Sequence, residues 1–218
     1  MREYPKIETM FKRDLSIKGA PIIEGAWTTP EFEYLARNLW HMTEKVDGTN
    51  IRVHWNGGRV LFGGRTDNAQ TPTFLLERLQ NLFPLEENNK FIEQFGTLDP
   101  AGAGVTLYGE GFGARIQKGG GNYIANGVDF ALFDVQVGEW WLKREDVEDV
   151  ADHFGLQIVP VLAIGTLYDA IDMTRQGFNS TWGEFTAEGL VLRPTVELKN
   201  RAGRRIITKI KWKDFIHG

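Results

Sequence analysis

Thr43-Glu44-Lys45-Val46-Asp47-Gly48-Thr49-Asn50-Ile51-Arg52-Val53-His54-Trp55 sets one lysine ahead of an Asp-Gly step and then alternates apolar with polar residues. Ile51, Val53 and Trp55 recur with the period of two that lines one face of a strand. Asn56-Gly57-Gly58 follows, a turn signal because tight hairpin connections need positive φ. Residues 59–62 read as the returning strand, so Lys45 stands at the mouth of a hairpin. A lysine amine is nucleophilic only when neutral, which requires its pKa to fall from about 10.4. Gly48 would let the backbone approach a phosphate or nucleoside. A lone lysine at a strand end is usually an exposed charge, and Lys-x-Asp-Gly is short enough to recur by chance.

Outward from this stretch, a first helix is expected from Thr29-Pro30, with Phe32, Leu35, Ala36 and Leu39 inward. A second should begin near Thr71-Pro72 and bury Leu75, Leu79, Leu82 and Phe83. A third covers about 143–154 and stops at Gly155, a left-handed C-cap. A fourth runs from Thr166 to Gln176, closed by Gly177. Further strands are expected at 105–110, 129–137, 157–162, 189–193 and 206–212. Strands outnumber helices without regular alternation, which predicts an α+β fold with largely antiparallel sheets flanked by helices. Without repeats or long linkers, the 218 residues read as a single domain, 1–218, with no separate C-terminal domain.

Composition narrows the class. No run of 18 apolar residues occurs and the first 20 residues are charged throughout, which argues against a membrane span or a secretory signal. With no cysteine there is no disulfide framework and no thiolate chemistry, so a cytoplasmic location is the default. The four histidines, His41, His54, His153 and His217, are dispersed, which speaks against zinc. The net charge of −4 hides an asymmetry. Residues 139–152 are largely acidic, whereas residues 193–213 hold Arg193, Lys199, Arg201, Arg204, Arg205, Lys209, Lys211 and Lys213 against Glu197 alone. That run is either a solvated strand pair or a phosphate-facing surface.

Four more stretches bear chemistry. Leu107-Tyr108-Gly109-Glu110-Gly111-Phe112-Gly113 ends an apolar strand on a carboxylate and leads into a loop with Arg115 and Lys118. Its glycines match neither a dinucleotide-binding turn nor a P-loop, and a flexible surface loop is the plainer alternative. In Phe130-Ala131-Leu132-Phe133-Asp134-Val135 the odd spacing sends the two rings to opposite faces; Phe133 is expected in the core and Phe130 as a base-stacking platform. Glu188-Gly189-Leu190-Val191-Leu192-Arg193 again opens an apolar strand with a carboxylate. Lys209, Lys211 and Lys213 alternate, so they are expected on one strand face, which is costly unless an anion lies there. Each stretch alone is as readily structural as functional. Together they supply an attacking amine, two carboxylates, a stacking ring and phosphate-facing cations.

In this order the chain resembles the covalent nucleotidyltransferase superfamily of polynucleotide ligases and capping enzymes. The motifs are Lys45-Val46-Asp47-Gly48-Thr49-Asn50, Tyr108-Gly109-Glu110-Gly111-Phe112, Phe130 to Asp134, Glu188 to Arg193, and Lys209-Ile210-Lys211. Asn50, where DNA ligases and capping enzymes carry arginine, is similar to the nick-sealing RNA ligase family. So are Glu44, the Gly64-Arg65-Thr66 step and the segment from Gly109 to Gly120. Asp47 departs from the histidine of the phage prototype.

The resemblance implies a nucleotidyltransferase (ATP-grasp-like ligase) fold. It further implies an ATP-dependent RNA ligase that joins 3′-hydroxyl and 5′-phosphate ends through a lysyl–AMP, with Mg²⁺ or Mn²⁺. Lys45 would be the nucleophile, with Lys209 and Lys211 (or Lys213) facing the α-phosphate. Glu110 would hold the ribose, Phe130 the adenine, and Glu44 the base edge. Asn50 would organise phosphate or metal-bound water, and Arg65 would meet the polynucleotide end. Glu188, Glu110 and Asp47 are the expected metal contacts. The RNA would be a nicked duplex or ends held together. Because the chain stops soon after Lys211, its grip on RNA is expected from the domain itself, from an accessory protein or RNA partner, or to be weak. A DNA ligase, a capping enzyme, or a non-catalytic RNA-binding protein on the same fold are the alternatives.

Overall fold

The computed structural model describes residues 1–84, 89–97 and 104–216; His217 lies outside the described residues. In chain order the elements are β1 (Glu8–Thr9), β2 (Phe11–Arg13), β3 (Ile22–Trp27), α1 (Pro30–Tyr34), β4 (Trp40–Glu44), β5 (Thr49–Trp55) and β6 (Val60–Gly63). Then come α2 (Thr73–Leu82), α3 (Asn89–Phe95), β7 (Val105–Gly113), β8 (Val128–Val137), β9 (Trp140–Trp141), α4 (Arg144–Phe154) and β10 (Gln157–Ile158). The chain closes with β11 (Val161–Gly165), α5 (Leu167–Gln176), β12 (Gly189–Pro194) and β13 (Thr208–Lys211). It divides into two compact units, one of Met1–Tyr4 with Asp47–Val159 and one of Pro5–Val46 with Pro160–Gly218. The mixed α+β class with mostly antiparallel sheets is the one expected.

The first unit is built on a sheet ordered β10-β8-β7-β5-β6, with β9 added to β8. All of its pairs are antiparallel except β10 on β8. The β5–β6 hairpin closes as expected, with Val53 opposite Phe62 and Trp55 opposite Val60. Its turn is tied by Asn56, whose Oδ1 accepts from the Gly58 and Arg59 amides at 3.1 and 2.9 Å. Ile51, Val53, Trp55, Leu107 and Leu132 face one side and form a core with Leu75 and Leu79 of α2 and Val147 and Val150 of α4. Burying such side chains stabilises the unit by about 1.5–3 kcal/mol each. Asn50, Arg52 and His54 alternate with them and take the other side.

The second unit has a sheet ordered β1-β13-β12-β4-β11 and a separate β2–β3 pair. Trp40, Met42, Leu190, Leu192 and Ile210 pack with Phe32 of α1 and Leu167 and Ala170 of α5. The start of α5 is set by a reciprocal cap. The Asp169 amide donates to Thr166 Oγ1 at 3.2 Å, and the Thr166 amide donates to the Asp169 carboxylate at 2.7 Å.

Several expectations need correction. The first helix ends at Tyr34, so Leu39 lies beyond it and is exposed. The expected strand 157–162 is two strands in two sheets, separated at Val159-Pro160; proline has no amide proton to continue a ladder. Helix α3 and strands β1–β4 and β9 are not among the expected elements. Phe133, expected in the core, is only partly buried, and Phe130 is fully buried. The cause is a bulge: Tyr108 pairs with Asp134 and Gly109 with Leu132, leaving Phe133 as the extra residue. Phe130 and Leu132 before the bulge and Val135 after it therefore share the helix-covered face. Phe130 packs edge-on against Phe83 with centroids 5.9 Å apart, and its ring tip closes on Gly109, where any Cβ would collide with it. Its ring is thus packed in the core rather than exposed as the platform expected from sequence.

Phe130→Ala should therefore lower unfolding free energy by about 3–5 kcal/mol, the range for a large core aromatic. Denaturant titration measures this; an unchanged midpoint would contradict the core assignment.

Candidate functional site

The second unit brings Lys45, Glu188 and Lys211 together. Strand β4 runs antiparallel to β12, and β12 antiparallel to β13, with Leu190 opposite both Glu44 and Ile210. One residue further, the Lys45 amide donates to the Gly189 carbonyl at 2.9 Å, and Gly189 pairs with Lys211. Lys45 Nζ contacts Glu188 Oε2 at 2.6 Å, and Lys211 Nζ contacts Glu188 Oε1 at 2.5 Å. One carboxylate thus bridges two ammonium groups, with all three side chains about one-fifth exposed or less.

Gly189 makes this approach feasible. Its φ is +150°, and a Cβ there would run into the Ile210 carbonyl and the Lys211 Cα of the neighbouring strand. Any other residue would push β13 and Lys211 away. Burial alone would raise the Glu188 pKa. The Lys45 charge, the hydrogen bonds from Lys211 and Lys45, and the Lys211 charge outweigh it and hold the carboxyl below its ordinary value.

Lys209 lies two residues before Lys211 on β13, paired with Val191, and so shares its face. Lys213 does not. The strand ends at Lys211, where the Asp214 carboxylate accepts from the Lys211 amide at 3.1 Å and starts a 3-10 turn over Trp212–Asp214. Asp214 is also held by Arg13 at 2.6 Å. Lys213 is exposed on that turn, so the expectation that it continues the lysine face is corrected.

Glu44 is also corrected. It follows Trp40 and Met42 on the buried side of β4, opposite in parity to Lys45. It is only 1% exposed and accepts hydrogen bonds from Ser180 Oγ at 2.5 Å and from the Thr181 amide and Oγ1 at 2.9 Å each. Its carboxylate is thus committed to holding the 180–181 loop before Glu188 rather than standing exposed for a base edge. Sequence reading missed Ser180 and Thr181; their hydroxyls lie some 140 residues away with no local signal.

The first unit arranges Asn50 and Glu110 as cross-strand neighbours on β5 and β7. Asn50 Oδ1 is buried and has no hydrogen-bond partner, a costly state that a ligand or water would relieve. Asp47 and Gly48 form a fixed turn: the Asp47 amide donates to Tyr123 Oη at 3.0 Å, and Gln117 Nε2 donates to the Gly48 carbonyl at 3.0 Å. Gly48 has a reason in the protein itself, since a Cβ there would strike the Gly111 carbonyl and the Glu110 side chain. Arg65 is exposed in the loop after β6. That loop is anchored by Arg52, a residue not singled out from sequence. Arg52 is fully buried and donates to the Gly64 carbonyl at 2.7 Å and the Asp67 carboxylate at 2.9 Å.

Each unit carries oxygen donors of the type that Mg²⁺ and Mn²⁺ take. In the first unit Asp47 and Glu110 offer carboxylate oxygens and Asn50 a buried carbonyl oxygen; in the second, Glu188 offers a carboxylate. Among the described residues no three His, Asp or Glu side chains converge into a ready-made cage.

The stretch that carries Lys45, Glu188, Lys209 and Lys211 is covered by the RNA ligase family model. That model matches residues 38–211, and the chain belongs to this family. No curated protein sequence matches the chain. Among solved structures, an apo aspartate-to-alanine mutant of Naegleria gruberi RNA ligase superposes with a TM-score of 0.63 at 19% identity, covering 98% of this chain and 58% of that one. A lysine-to-alanine mutant of the same ligase with ATP and Mn gives 0.62 at 19%, over 96% and 57%. An archaeal ATP-dependent RNA ligase gives 0.62 at 17%, over 99% and 49%. The likeness is one of fold, and the chain spans between 49% and 58% of the length of these proteins.

Because the folded Glu188 pKa lies below its ordinary 4.5, its contribution to stability is full above that value. It is lost as pH falls through the folded pKa. Glu188→Gln should flatten the acid limb of unfolding free energy against pH, measured by denaturant titration from neutral pH downward. Superimposable slopes for the two proteins would contradict the bridge.

Proposed function

We propose that this chain is the adenylyltransferase part of an ATP-dependent RNA ligase, joining 3′-hydroxyl to 5′-phosphate ends through a lysyl–AMP. The observation that carries the reading is the single carboxylate of Glu188 bridging Lys45 and Lys211. Membership of the RNA ligase family supports it. So do the folds of ligases solved with ATP and Mn.

In this reading Lys45 Nζ gives up its proton and attacks the α-phosphorus of ATP. A P–N bond forms, the bond to the β-phosphate oxygen breaks, and pyrophosphate leaves. The 5′-phosphate of the RNA then attacks the same phosphorus, releasing Lys45 and leaving AMP on the strand end. Attack by the 3′-hydroxyl forms the phosphodiester and expels AMP. Lys211 and Lys209 offset charge that grows on the α-phosphate oxygens. Glu110 is assigned the ribose hydroxyls and Arg65 the polynucleotide end.

Mg²⁺ or Mn²⁺, when bound, supplies charge that neutralises phosphate oxygens. Within the second unit Glu188 is the residue that would contact it, and within the first unit, separately, Asp47, Glu110 and Asn50 are the candidate contacts. In the resting arrangement both Glu188 oxygens are taken by lysines, so Lys45 must leave this pair before its amine can react. Adenine recognition is not assigned to Phe130 or Glu44, which are both enclosed.

A sealing assay tests this. With ATP and Mg²⁺ the protein should join nicked RNA, whereas Lys45→Ala should not, and Lys211→Ala should slow lysyl–AMP formation by about 10²–10³-fold. Preference for GTP would point to capping chemistry, and sealing only of nicked DNA to a DNA ligase. RNA binding without any ATP-dependent joining would leave a non-catalytic RNA-binding protein.

A further inference from the structure

The basic run at 193–213 serves several purposes. Lys209 and Lys211 belong to the candidate site, and Lys213 sits on the turn that ends it. Arg205 is buried and neutralised by Glu197 through Nε at 2.5 Å and Nη2 at 2.7 Å. The one acid of the run is thereby consumed inside the protein. Of the other four, Arg193 lies half-buried on β12, and Lys199, Arg201 and Arg204 are exposed, with no acidic partner among the described residues.

These three sit on a built turn. Asn200 Oδ1 accepts from the Ala202 and Arg204 amides at 3.0 Å each, and the Asn200 amide donates to the Arg204 carbonyl at 2.8 Å. Gly203 takes the left-handed conformation at φ +74°. Lys199 bridges Arg205 across the base, and Leu198 and Ile206 anchor that base on the second unit's core. A fixed turn thus displays three exposed cations without ion-pair partners among the described residues. Its chain position adds meaning: it joins β12 to β13, so it lies at the end of this pair opposite Gly189 and Lys211. Three residue steps of ladder, from Gly189 to Leu192, already put about 10 Å between the two ends.

We propose that the 199–204 turn is a phosphate grip for the RNA strand, acting away from the nucleotide-reacting end of the same hairpin. This rests on the RNA ligase reading. Its chemistry is charge neutralisation along a phosphate backbone, independent of base sequence.

The test compares wild type, K199A/R201A/R204A and the charge-keeping R201K/R204K for affinity to a nicked RNA duplex across a salt series. The triple variant should bind about 10- to 100-fold more weakly near physiological salt, with its log K against log salt slope shallower by about 0.7–0.9 per lost contact. R201K/R204K should stay near wild type. All three should form lysyl–AMP from ATP alone at equal rates, which also reports that they are folded. Wild-type affinity and salt slope in the triple variant would overturn the proposal, as would a parallel loss of lysyl–AMP formation. If wild type itself forms no lysyl–AMP, the ligase reading fails, while the affinity comparison still decides the grip.

Discussion

A single carboxylate held between two ammonium groups organises the second unit. Glu188 reaches Lys45 on one side and Lys211 on the other, and the three β-strands that carry or abut them stay in register only because Gly189 lacks a side chain. Removing one member of such a pair costs about 3–5 kcal/mol where it is buried, so the bridge is a constraint as well as a chemical group. It also occupies the Lys45 ammonium, the group proposed above as the nucleophile.

Around this bridge, neighbouring residues are committed to holding the chain. Glu44 fixes the 180–181 loop that leads into Glu188, and Asp214 stops β13 at Lys211 while binding Arg13. In the first unit, Tyr123 and Gln117 hold the Asp47–Gly48 turn, and Arg52 holds the loop bearing Arg65. Polar side chains that look catalytic by their neighbourhood in sequence are thus divided between chemistry and anchoring. The test is where their hydrogen bonds go. Asn50 stands apart, because its carbonyl oxygen is buried without a hydrogen-bond partner among the described residues.

Much of this was legible from sequence wherever period and punctuation are strong. The β5–β6 hairpin, α4 with its stop at Gly155 (φ +68°) and α5 with its Thr166 cap follow from alternation, glycine and capping chemistry. The motif lysines and Glu188 were found from their order along the chain. Phe130 was misjudged because a bulge at Phe133 changes strand parity, and a bulge leaves no mark in a run of six mostly apolar residues. Glu44 could have been read correctly, since it and Lys45 are adjacent on a strand and must face opposite ways. Lys213 could not, because the turn that removes it depends on Asp214 meeting Arg13, 201 residues away in sequence.

The central claim is that Lys45 is the amine that leaves its carboxylate to take up AMP. Protease digestion and mass mapping of protein incubated with ATP and Mg²⁺ addresses it most directly. The account predicts one acid-labile AMP adduct, carried by the peptide containing Lys45. An adduct on any other residue, or none on folded protein, would contradict it.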